Sequence, residues 1–152
     1  MMNKFVYVDN FNWSYDFGKL LTLVGGMRNG LKKAVLFGSR PPQNDSLWTA
    51  AKLSGFEVSI EDRNAQNREK KIDTGVVAAM MGDAMEALLN RQAAETELVL
   101  VAGDCDYVPA VKRLQQFGFK VTVCFWDHAS RELQDAASEF VSLNPHLNQL
   151  GR

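Results

Sequence analysis

Short apolar runs rich in β-branched residues recur along this chain, and most are separated by segments with apolar residues at helical spacing. That alternation constrains the fold more than any other feature. Lys4-Phe5-Val6-Tyr7-Val8 stops at Asp9-Asn10 and reads as a buried strand closing in a polar turn. Residues 13–24 carry apolar side chains at helical spacing, and Gly25-Gly26 stops them. Lys33-Ala34-Val35-Leu36-Phe37 is a second strand, closed by Gly38 and Pro41-Pro42. Asp45 or Ser46 caps a helix to about Leu53, with Gly55 as its terminator. Phe56-Glu57-Val58-Ser59-Ile60 alternates as an edge strand does. Residues 61–71 are polar, without hydrophobic periodicity, and read as a loop.

Asp73 then opens a long helix through Val76, Val77, Met80, Met81, Met85, Leu88 and Leu89. Leu98-Val99-Leu100-Val101-Ala102 is the most continuous apolar strand in the chain. A helix over 109–117 ends at Gly118, with Pro109 in its first turn. A strand over 120–125, a helix over 130–138 and a last strand over 140–143 complete the order. Strands alternating with helices in this way imply a mainly parallel sheet covered on both faces. No repeat or long linker divides the 152 residues, so the expectation is one α/β domain over 1–152.

The 17 basic and 18 acidic side chains give a net charge of −1, so a globally basic nucleic-acid binder is not indicated. A local basic patch remains open. No apolar run approaches the roughly 18 residues needed to span a bilayer, and the first residues lack the layout of a signal peptide. Cys105 and Cys124 make no disulfide framework. Two reduced thiols in a cytoplasmic protein are expected.

In open parallel sheets, ligands bind outside the carboxyl ends of the strands. Asp9 ends the first strand, and Asp104 and Asp106 follow the strand over 98–102, with Gly103 allowing the turn. Asp73 begins a helix descending from the same edge. Taken singly, Asp9 is also a good turn residue and Asp73 a good N-cap. As a set, four converging carboxylates repel one another unless a cation joins them. Hard oxygen ligands suit Mg²⁺ or Mn²⁺. Asp83 lies ten residues beyond Asp73, roughly 15 Å farther along a helix, and so falls outside the cluster.

These residues resemble the landmarks of the NYN domain family, relatives of the PIN-domain nucleases. Val8-Asp9-Asn10-Phe11-Asn12 looks like the family's Asp-x-x-Asn, and Lys71-Ile72-Asp73 like its Lys-x-Val-Asp. Gly103-Asp104-Cys105-Asp106-Tyr107-Val108-Pro109 looks like its Gly-Asp-x-Asp-Phe/Tyr-x-Pro, the most specific of the three. The segments Ala129-Ser130-Arg131-Glu132-Leu133 and Ala136-Ala137-Ser138-Glu139-Phe140 are similar to the family's ending. The resemblance implies a PIN-like three-layer α/β/α fold and metal-dependent cleavage of RNA. It places Asp9, Asp73, Asp104 and Asp106 in the acidic cluster and Asn12 beside it. Many relatives carry an acidic residue where this chain has Ala79.

The expected chemistry is phosphodiester hydrolysis with Mg²⁺ or Mn²⁺ held by the four aspartates and with Asn12 orienting a water, a carboxylate or the phosphate. Arg63, Arg68, Lys70 and Lys71 are candidate contacts to an RNA backbone, or a solvated loop. Trp13 is a candidate for base stacking or for packing. Trp48, Trp126 and the group Met80, Met81 and Met85 are assigned to packing, and His128 and His146 to the surface. An RNA-binding or regulatory module with little catalysis and a phosphatase or Toprim-like phosphotransfer enzyme are the competing classes. The RNA target and any homo-oligomer stay open.

Overall fold

The computed structural model describes residues 2–9, 16–25, 30–39, 46–61 and 68–150, apart from the side chains of residues 39, 46, 47, 61 and 68–71. Six strands form one sheet: β1 (Asn3–Asp9), β2 (Leu31–Ser39), β3 (Glu57–Glu61), β4 (Thr96–Val101), β5 (Lys120–Phe125) and β6 (Glu139–Ser142). Their order is β3-β2-β1-β4-β5-β6, and every neighbouring pair is parallel. The helices are α1 (Phe17–Gly25), α2 (Ser46–Leu53), α3 (Arg68–Leu89), α4 (Val108–Gln116), α5 (Arg131–Ala136) and α6 (Leu147–Leu150).

Successive strand side chains point to opposite faces, and this alternation divides the core into two layers. On one face Tyr7, Val35, Leu98, Leu100 and Val123 pack with Val76 and Met80 of α3, Val111 and Leu114 of α4 and Leu133 of α5. On the other, Val6, Val8, Leu36, Val99 and Val101 pack with Leu20 and Val24 of α1, Trp48 and Ala51 of α2 and Leu150 of α6. The result is a three-layer α/β/α sandwich with a parallel central sheet. All six residues of β4 are buried, as the unbroken apolar run from residue 98 predicts for a central strand. β3 lies at the edge, as its alternation predicts. Gly55 has φ +110°, a left-handed conformation that suits the terminator of α2.

Two expectations need correction. The long helix begins at Arg68, not at Asp73. Arg, Glu and Lys are strong helix formers without any apolar periodicity, so residues 68–71 extend the helix ahead of the buried Ile72. Asp73 therefore lies inside α3 and does not cap it. Met85 is 55% exposed, so of the three methionines only Met80 is wholly buried, with Met81 partly so. The short C-terminal α6, whose Leu150 is buried, had no clear periodic signal.

The sheet order reverses direction between β1 and β4, since β2 and β3 lie on one side and β5 and β6 on the other. Such a switch point leaves a crevice outside the carboxyl ends of the strands. Among the described residues, no helix is long and apolar enough to cross a membrane.

Candidate metal centre

β1 and β4 pair in register with Val8 beside Val101, so Asp9 and the turn after β4 leave the sheet at the same edge. Ala102 is buried, and the chain then turns at Gly103. A Cβ on Gly103 would lie 2.3 Å from Cδ2 of Phe125, closer than any real contact, so the ring and the turn fit together only around a glycine. The Gly103 carbonyl accepts the Ser130 N–H at 2.8 Å, tying the turn to the start of α5. Asp104 caps the 3₁₀ turn Cys105–Tyr107, its carboxylate accepting the Asp106 N–H at 3.1 Å.

That turn carries Tyr107 back into the core, where it is completely buried. Its hydroxyl lies 2.7 Å from Asp9 Oδ2 and 3.0 Å from Asp73 Oδ1. Strand β1, helix α3 and the turn after β4 thereby meet at one phenolic oxygen. Asp9 and Asp73 are half-buried, and Asp104 and Asp106 are exposed. Ligand atoms of Asp104, Cys105 and Asp106 lie within 4.8 Å of one another, a group able to hold a metal ion.

The electrostatics tie the two halves together. Burial pushes the Asp9 carboxyl up to about 6, and the negative charges of Asp73 and Asp104 raise it further against the lowering effect of the Tyr107 hydrogen bond. Asp73 is also raised, first by burial and then by the charges of Asp104 and Asp106, again opposed by Tyr107. Asp9 and Asp73 thus feel each other and the charges of the turn after β4. Among the described residues, no ion pair joins any of the four aspartates to a lysine or arginine. Hard oxygen donors with mutual repulsion, and no cationic partner among the described residues, fit a divalent ion such as Mg²⁺ or Mn²⁺.

The other sequence candidates fall elsewhere. Asn12, Trp13 and Arg63 lie outside the described residues. The backbones of Arg68, Lys70 and Lys71 form the first turn of α3 instead of a loop. Asp83 stands apart, accepting the Tyr7 hydroxyl at 2.6 Å and pairing with Lys33 at 3.2 Å. Cys105 is exposed, and desolvation followed by the charges of Asp104 and Asp106 raises its thiol, the opposite of nucleophilic activation. His128 is exposed and His146 half-buried, while Trp48 packs in the core. Ala79 is partly buried against the α3-side core. The residue that sequence reasoning missed is Tyr107. Its place directly after Asp106 was the available signal, but only the fold aims its hydroxyl at Asp9 and Asp73.

A family model described as the NYN domain matches residues 2–144. No curated protein matches the chain. Among solved structures, a protein of unknown function from Vibrio parahaemolyticus RIMD 2210633 is similar, with a TM-score of 0.70 and 21% sequence identity. The match covers 93% of this chain and 93% of that one. At that identity the likeness bears on the fold alone.

Proposed function

The chain belongs to the NYN domain family, and from that premise we propose that it is a metal-dependent ribonuclease. NYN domains are generally nucleases, so a nuclease-type function is the coarse statement that membership supports. The observation that carries the finer reading is the electrostatic one. Two half-buried and two exposed carboxylates share the strand-end crevice, with the Asp9 carboxyl pushed up to about 6.

In this proposal Asp9, Asp104 and Asp106 hold Mg²⁺ or Mn²⁺, with Asp73 binding directly or through water. When bound, the ion lowers the pKa of a coordinated water and offsets charge gathering on the scissile phosphate. Asn12 orients the water, a carboxylate or the phosphate. Attack by the water oxygen forms one P–O bond while the bond to the leaving oxygen breaks. The hydroxylic proton leaves to solvent or to the departing oxygen. No histidine is required for this chemistry. Arg63, Arg68, Lys70 and Lys71 are proposed backbone contacts, because α3 carries the last three toward the edge where Asp73 stands. Trp13 is a proposed stacking residue.

Ala79 favours a second reading, an RNA-binding module that keeps the fold and cuts weakly, because it supplies no fifth carboxylate on α3. One experiment separates the two. Purified protein and an Asp104→Asn variant are incubated with single-stranded and structured RNA in Mg²⁺ or Mn²⁺. Cleavage by the parent and loss in the variant supports the nuclease. RNA bound by both and cut by neither supports the binding module, and equal cleavage by both points to a contaminant.

A further inference from the structure

Asp9 and Asp73 each use one carboxylate oxygen on the Tyr107 hydroxyl, Oδ2 for Asp9 and Oδ1 for Asp73. The two carboxylates also meet each other in a side-chain hydrogen bond. The two aspartates come from β1 and α3, separated from Tyr107 by 98 and 34 residues. A wholly buried ring thus holds two carboxylates of distant origin at one hydroxyl.

We propose that Tyr107 is a positioning residue for the bound ion. Its hydroxyl fixes the spacing and rotation of Asp9 and Asp73, so that the pair is pre-set to receive an ion. This rests on the metal reading above and adds a residue that touches no ion or substrate itself. Groups that orient a ligating carboxylate govern affinity because an unanchored carboxylate must be ordered when the ion arrives. A phenol suits this place better than lysine or arginine would. It is neutral and offers one proton that its two acid neighbours share, so it links them without cancelling the charge that attracts the cation. The turn capped by Asp104 delivers the ring, so the two exposed acids and the two anchored ones are set by the same seven-residue stretch, 101–107.

A packing role for Tyr107 and a positioning role differ in what they do to metal affinity. The test is Mn²⁺ binding by calorimetry to the wild type, the Tyr107→Phe variant and the Asp104→Asn variant, with circular dichroism for the fold. The Tyr107→Phe variant keeps the buried ring and should bind Mn²⁺ roughly 10- to 100-fold more weakly while remaining folded. Equal affinity in a folded Tyr107→Phe variant overturns the proposal and leaves the metal reading intact. Failure of the wild type to bind Mn²⁺ overturns both. Should the variant not fold, the wild type decides. Only three tyrosines are present, so ¹³C-tyrosine labelling gives three ring signals, assigned through contacts to their neighbours. The Tyr107 Cζ signal should shift during Mg²⁺ titration along the same curve as binding. An unmoved Tyr107 signal at saturating Mg²⁺ overturns the proposal.

Discussion

Tyr7 and Tyr107 both bury a phenol in the α3-side core and both give the hydroxyl to an aspartate on that helix. Their consequences differ because of where along α3 the aspartate lies. Asp83 answers Tyr7 and Lys33 away from the carboxyl ends of the strands, so its carboxylate is satisfied within the fold. Replacing Asp83 with Ala strands the buried Tyr7 hydroxyl, and an unmet buried donor costs about 1–3 kcal/mol. Chemical denaturation should register that loss, while calorimetry should find Mn²⁺ affinity unchanged. A fall in affinity comparable to that of Asp104→Asn would show that the two ends of α3 are not independent. At this scale the carboxylates were legible in the sequence, because acid residues following apolar strands are costly without a partner. The hydroxyl of Tyr107 was not, because a phenol's direction is set by the turn and by packing from β1 and α3. Nothing within its own stretch of chain specifies which carboxylates it meets.

Elements were legible in proportion to how fully their pattern reflects burial. β4 is apolar over residues 98–101 and is buried along its whole length, whereas the first turn of α3 is polar and reads as a loop. Helix propensity, not periodicity, carries that turn. Polar residues inside strands escaped notice for the opposite reason. Glu97 of β4 is 6% exposed, accepts the Thr122 hydroxyl of β5 at 2.6 Å and lies 3.8 Å from the Lys120 ammonium. Lys120 also pairs with Glu139 of β6 at 3.5 Å, so three adjacent strands share the network. Thr122→Val keeps the β-branched shape but leaves the Glu97 carboxylate short of a donor. It should cost about 1–3 kcal/mol in a urea melt, with the parallel sheet retained by circular dichroism. A neutral result would mean that Lys120 alone satisfies the buried acid.

For the molecule as a whole, the acidic crevice makes stability depend on pH and on metal together. The folded-state Asp9 carboxyl stands at about 6 against an ordinary value of 3.8. The folded chain therefore binds the proton more tightly than the unfolded one, and the metal-free protein loses stability as pH rises from about 4 through 6. Divalent ions compete with that proton, so affinity for Mn²⁺ should climb over the same interval. Thermal melts with and without Mn²⁺ at pH 5 and pH 8 should show the larger metal-induced rise at pH 8. A larger rise at pH 5 would refute the linkage. The pairing of Tyr107 with Asp9 also has a kinetic side. Joining residues 98 apart requires a large loop to close, and β1 must insert between β2 and β4. Contacts of such long range are slow to form and weigh heavily on folding rates. If the crevice is completed only after the main barrier, an ion added during refolding leaves the folding limb of the chevron where it was. It acts on the unfolding limb instead, lengthening the lifetime of the native chain.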